Sequence, residues 1–138
     1  ALVAATVGND GILMRPKLVN TIVDKNGNTV RNIASDEIRR AIPSDVAATV
    51  RDYMKYLVDN NIYRWPAFEG TNAGGKTGTA DYNLPDGSEA IPHGWFISVA
   101  PMDDPQIAVA VIVENGESGA GSAATIASLV VRQAVLGY

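Results

Sequence analysis

Residues 94–113 read GWFISVAPMDDPQIAVAVIV. Two runs rich in Val, Ile and aromatic residues are separated by PMDDPQ, which carries two prolines and two aspartates. Short β-branched runs bounded by such residues are strand signals, and the break between them leaves room only for a reversal. The segment therefore predicts an antiparallel hairpin. Its second run, Ile107–Val113, is apolar at every position, which suits a central strand covered on both faces. Any fold open to this chain must contain an antiparallel sheet and apolar elements to lay upon it.

Three segments can supply that cover. From about Ser122 to Leu136 the chain is apolar or small except for a narrow stripe of Thr125, Ser128 and Arg132, as in a helix laid on a sheet. Ser44 can cap a second helix, whose Val46, Val50, Tyr53, Met54, Leu57 and Val58 fall at helical spacing and predict a core stripe. The opening ALVAATVGNDG reads as the end of a helix, with Gly8, Asn9 and Gly11 available for left-handed termination. Between the helices, KLVNTIVDKNGNTVRNI reads as a further hairpin turning at Asn26-Gly27, entered after Arg15-Pro16. The expected fold class is α/β (α+β), an antiparallel sheet covered by helices, with residues 1–138 belonging to a single domain. The chain opens inside an apolar helical run with no cap before it, so it is expected to be part of a longer polypeptide.

Composition narrows the chemistry. Hydrophobic residues make up 46% and charged residues 19%, enough apolar matter for a core and too little charge for a disordered chain. A net charge of −4 argues against nucleic acid as a partner. The absence of cysteine excludes disulfides, thiol catalysis and cysteine-ligated zinc. His93 stands alone, with no Asp/Glu/His cluster at ligand spacing, so neither a metal nor any other cofactor is expected. The longest strictly apolar run, Ile107–Val113, is far shorter than the ~20 residues of a membrane-spanning helix.

The remaining segment, EGTNAGGKTGTADY (Glu69–Tyr82), carries two motifs at once. Gly70 to Thr77 satisfies the phosphate-cradling pattern G-x-x-x-x-G-K-[ST], which requires a buried strand before it and a helix starting at Lys-Thr. The preceding NNIYRWPAFE has no sustained apolar run, and the following GTADYNLPDGSE is broken by Gly and Pro. Both contexts are missing, and the cradle is rejected. The second motif is Lys76-Thr77-Gly78, which serine acyl-transfer enzymes place on an edge strand. There Lys76 can hold positive potential beside a nucleophile, the hydroxyls of Thr77 and Thr79 can take a substrate carboxylate, and a backbone N–H after the glycine can face an oxyanion. Asp81 either screens Lys76 or sits in solvent, Tyr82 and Trp65 either rim a cleft or pack locally, Trp95 and Phe96 are expected in the core, and Ser88 in a turn.

Taken together, VAATVGNDGILMRPKLV, GGKTGTA and HGWFISVAPMDDPQIAVAVIVEN, in this order, resemble the C-terminal part of the transpeptidase domain of penicillin-binding proteins, most closely the class B (monofunctional) type. The resemblance covers nearly the whole chain. It implies a peptidoglycan D,D-transpeptidase that forms a serine acyl-enzyme with the D-Ala-D-Ala end of a stem peptide, passes the acyl group to an amine of a neighbouring strand, and is acylated by β-lactams. It implies catalytic roles for Lys76, Thr77, Gly78 and Thr79, with Thr77 and Thr79 holding the donor carboxylate. By position, His93 before the strand next to KTG and Tyr82 after it are candidate substrate contacts, with a structural His93 and a locally packed Tyr82 as the alternatives. It further implies an extracytoplasmic location, with a membrane anchor in an N-terminal segment absent from residues 1–138.

The family's nucleophile lies in S-x-x-K, and a second motif is S-x-N. Serines 35, 44, 88, 98, 118, 122 and 128 satisfy neither. The upstream part of the same domain is therefore an expected partner, and residues 1–138 alone are expected to be inactive. Two rival readings share the KTG triplet: a serine β-lactamase or β-lactam sensor, and a noncatalytic module that binds cell-wall peptide.

Overall fold

The computed structural model describes all 138 residues. Helix α1 (Leu2–Gly8) leads into β1 (Ile12–Met14), then β2 (Thr21–Val23), β3 (Thr29–Asn32) and β4 (Glu37–Arg40). Helix α2 (Ser44–Asp59) follows, then β5 (Gly74–Ala80), β6 (His93–Ala100), β7 (Ile107–Val113) and helix α3 (Ala124–Leu136). A 3₁₀ turn at Pro66–Phe68 precedes β5, and a π-helical turn at Gly119–Ala123 precedes α3. The fold class is the one expected, mixed α and β with antiparallel sheets and covering helices.

The main sheet has the order β5-β6-β7, antiparallel throughout. Both connections join sequential antiparallel neighbours, so the strand in the middle of the sequence becomes the middle of the sheet. This corrects the expectation for Ile107–Val113. β7 is an edge strand, and its Ala110 and Ile112 are exposed.

Directly opposed residues in an antiparallel pair share a face, which assigns the two sides of the sheet. Gly74, Val99 and Ala108 lie on one face, where Ala4 and Val7 of α1 and Met54 of α2 complete a small core. Gly75, Phe96 and Val109 are on the other, where Trp65, Phe68 and Ala123, Ala124, Ala127 and Val131 form the larger core. Phe96 is fully buried, with Trp65 edge-on to it at 5.4 Å and Phe68 tilted at 5.8 Å. Such aromatic pairs add about 0.5–1.5 kcal/mol beyond their buried area.

The glycine pair of NAGGKTG is explained by this two-sided packing. A Cβ on Gly74 would lie 2.9 Å from the backbone nitrogen of Lys55, and one on Gly75 would lie 2.5 Å from Cε1 of Phe96. One glycine admits the backbone of α2 and the next admits an aromatic ring, on opposite faces of the same strand.

Several local expectations need correction. Of the two readings of Trp65, the structure shows packing rather than a cleft rim. The indole is buried, and its Nε1–H donates to the Ala120 carbonyl at 2.8 Å. Trp95 is not core and is 41% exposed, because it occupies the face opposite Phe96. Val46 and Tyr53 are also exposed, and the buried stripe of α2 narrows to Ala47, Met54 and Val58. Ser44 is the first residue of α2, after Pro43, and makes no side-chain cap. The left-handed residues after α1 are Asp10 and Gly11 rather than Gly8 and Asn9. Gly8 is required instead by contact, since a Cβ there would meet Cγ1 of Val99 at 2.9 Å.

In α3, Ser128 is buried and donates to the Thr125 carbonyl, so no continuous polar stripe faces solvent. The exposed side carries Ile126, Leu129 and Val130. The 18 residues Gly119–Leu136 have a mean hydropathy of 1.3, long and apolar enough by composition to cross a bilayer, yet Ala123, Ala124, Ala127 and Val131 are packed into the larger core. The β2–β3 hairpin turns at Gly27 as expected and is exposed along both strands. The pairing of β1 with β4 was not foreseen.

Candidate functional site

β5 pairs with β6 on one side only, so its other edge is open. This is the position the KTG reading requires. Lys76, Thr77, Gly78 and Thr79 stand opposite Ile97, Phe96, Trp95 and Gly94 respectively. Lys76 and Gly78 therefore share the face of Trp95, while Thr77 and Thr79 share the face of Phe96 and Gly94. Lys76 and Thr79 are exposed, and Thr77 and Gly78 are half-buried.

The Lys76 ammonium donates to the carbonyl of Thr77 at 2.7 Å and reaches its Oγ1 at 3.4 Å. The Thr77 hydroxyl is on the opposite face from Lys76, so the lysine curls across the open edge. It takes part in none of the three ion pairs, which are Arg15–Asp36, Arg51–Asp10 and Lys55–Asp59. Asp81 thus leaves the lysine charge unpaired. A cation and two hydroxyls on a free edge can take a carboxylate, and an extended peptide can add along the same edge through main-chain hydrogen bonds.

Gly78 is held from both sides. A Cβ on Gly78 would lie 3.2 Å from Cβ of Trp95 on one face. On the other, the π-helical turn sets Gly119 against the Gly78 backbone, where a Cβ would approach the carbonyl oxygen to 2.5 Å and the amide nitrogen to 2.9 Å. Side chains are thereby kept off the strand at the point where its backbone is expected to meet substrate.

Tyr82 and His93 are brought together at the end of the strand. Their rings lie 4.5 Å apart, tilted by 31°. The Tyr82 hydroxyl donates to Oδ1 of Asn115 at 2.8 Å, and the Asn115 N–H donates to His93 Nδ1 at 3.0 Å. Ser88 is a turn residue as expected, its Oγ–H donating to Asp86. That hydrogen bond and the Ser88 N–H hold the Asp86 carboxyl below its ordinary range. The sequence reading missed Asn115 and Gly119. Their only signal was the glycine-rich ENGESGAG after β7, which matches no motif.

Residues 1–132 match the family described as penicillin binding protein transpeptidase domain. The chain is 40% identical over 116 residues to the peptidoglycan D,D-transpeptidase PbpA of Mycolicibacterium smegmatis, covering 84% of this chain and 23% of that protein. Its fold is similar to the crystal structure of PBPA from Mycobacterium tuberculosis, with a TM-score of 0.84, 34% identity and coverage of 98% of this chain and 33% of that one. It is likewise similar to the penicillin G acyl-enzyme complex of penicillin-binding protein A from M. tuberculosis, with a TM-score of 0.77, 31% identity and coverage of 99% and 31%. The chain spans about a quarter of the length of the curated relatives it matches. It belongs to the transpeptidase-domain family of penicillin-binding proteins.

Proposed function

We propose that residues 1–138 are the KTG-bearing, C-terminal portion of a class B peptidoglycan D,D-transpeptidase that reacts with β-lactams. The observation that carries this reading is the KTG triplet on an open sheet edge, with Lys76 exposed and outside every ion pair. Family membership and relatives named as D,D-transpeptidases support it.

On this reading a serine hydroxyl attacks the penultimate D-Ala carbonyl, the terminal D-Ala leaves, and an amine of a neighbouring strand takes the acyl group. Lys76 provides positive potential beside that serine and its proton transfer. The hydroxyls of Thr77 and Thr79 hold the donor carboxylate. The Thr79 N–H donates to the tetrahedral oxyanion, a contact worth about 3 kcal/mol when one such donor is removed. The serine itself comes from outside residues 1–138, because no serine here has lysine three residues on or asparagine two residues on. Residues 1–138 alone do not acylate. On this reading the complete protein works at the extracytoplasmic face of the membrane.

The test is labelling of the full-length polypeptide with a fluorescent penicillin. Labelling that Lys76→Ala abolishes is expected. Folded full-length protein that never labels overturns the reading.

A further inference from the structure

We infer that Asn115 is a positioning residue for the substrate-binding end of β5, acting through His93 and Tyr82. This rests on the function proposed above. The chain leaves β5 after the Ala80–His93 pair, runs through residues 81–92, and returns to the sheet at His93. Nearly all of that excursion is exposed, and its root is tied down at the end of β7. Asn115 binds both residues, its side-chain Oδ1 accepting from the Tyr82 hydroxyl and its backbone N–H donating to His93 Nδ1. The Glu117 N–H adds a bond to the Pro92 carbonyl at 3.1 Å. Asn115 adopts φ +52°, a left-handed conformation that asparagine tolerates better than most residues.

The bond to Nδ1 has a chemical consequence. A nitrogen that accepts from a backbone N–H carries no proton, so the neutral ring carries its proton on Nε2. His93 Nε2 has no partner within the protein and is not a buried unpaired atom, so it faces solvent as a donor. In the sheet register His93, Trp95 and Ile97 share the face of Gly78 and Lys76. The Asn115 backbone N–H therefore fixes a directed N–H of His93 at the end of β5, on the face that carries Gly78. That donor fits a carbonyl of an extended acyl peptide, or of the β-lactam that mimics it, while Thr77 and Thr79 hold the donor carboxylate. Tyr82, held by the same asparagine, braces the imidazole.

The experiment uses the full-length polypeptide and penicillin G, reading the acylation rate against concentration. Asn115→Gly keeps the N–H and the backbone freedom but loses Oδ1, and Tyr82→Phe loses the hydroxyl but keeps the ring. Each is expected to raise the half-saturating concentration about fivefold, the value of one hydrogen bond, with the limiting rate unchanged. The double variant should match either single one, and Asn115→Asp, which keeps an acceptor, should restore wild-type behaviour. Nitrogen-15 NMR should show His93 with its proton on Nε2, assigned by loss of the signal in His93→Gln. Wild-type half-saturation in both single variants, a proton on Nδ1, or limiting rates that fall in step with melting temperature would each overturn the inference. A wild-type protein that never acylates sinks the proposed function instead, and the NMR tautomer still decides the orientation of His93.

Discussion

Gly119 rests on the backbone of Gly78, so close that a Cβ on Gly119 would stand 2.5 Å from the Gly78 carbonyl oxygen. Neither partner in this contact is a flexible side chain, so nothing can yield cheaply. The Trp95 carbonyl oxygen of β6 is closer still, so Gly119→Ala should push β5 and β6 together away from the π-helical turn. Overpacking of this kind costs about 1–3 kcal/mol. Denaturant unfolding of the full-length protein should show the loss, and penicillin labelling should slow along with it. An unfolding midpoint equal to that of wild type would show that the strand is not set by this turn.

The pair Gly75 and Phe96 makes a similar demand through a ring. Glycine-to-alanine changes at unstrained positions stabilise by about 0.4–1 kcal/mol through the unfolded state. Here a Cβ would lie 2.5 Å from Cε1 of Phe96, which is fully buried. The clash outweighs the entropic gain, and Gly75→Ala should destabilise. Reducing the ring in Gly75→Ala/Phe96→Leu should recover part of the loss. If the double variant is less stable than the sum of the two single ones, the ring is not the obstacle.

What could be read from the sequence, and what could not, follows from the range of the interactions. The β6–β7 hairpin and the Asn26-Gly27 turn were legible because each is set by neighbours in sequence, and the edge position of GGKTGTA because its motif belongs on an edge strand. Trp95 was expected in the core but is exposed, because its burial depends on which face of β6 meets α3, information that a strand pattern alone does not contain; the burial of Trp65 depends on its bond to Ala120, distant in sequence. The pairing of β1 with β4 joins segments more than 20 residues apart, each too short to announce itself. At the site, Lys76, Thr77, Gly78 and Thr79 could be named from their motif. Asn115 and Gly119 could not, because their roles are contacts with strands distant in sequence.

Asp24 offers a check on the exposed hairpin. Its carboxylate accepts from the Asn28 side chain at 3.0 Å and from the backbone N–H groups of Asn28 and Asn26. Those bonds, the Asn28 side chain first, hold its pKa below the ordinary aspartate value. A group depressed in the folded state lends stability above its unfolded pKa and loses it as pH falls through the folded pKa. The hairpin should therefore stay ordered through the range where free aspartate protonates and loosen only at lower pH. Carbon-13 titration of the Asp24 carboxyl should give a midpoint below that of free aspartate, and Asn28→Ala should raise it. A midpoint at or above the free value would contradict the bonding.

Lys76 separates the site from the scaffold. It is exposed, pairs with no carboxylate, and bonds only to Thr77. Surface changes of this kind alter stability by no more than about 0.5 kcal/mol. Lys76→Ala should therefore leave the unfolding midpoint of the full-length protein in place while abolishing penicillin labelling. Lys76→Arg keeps the charge but replaces a compact ammonium with a planar fork, and should label slowly rather than normally. Gly75→Ala should show the opposite profile, with the midpoint lowered and labelling reduced only as far as folded protein is lost. A Lys76→Ala protein that loses stability and labelling together would place the lysine in the scaffold, and one that labels like wild type would remove it from the chemistry.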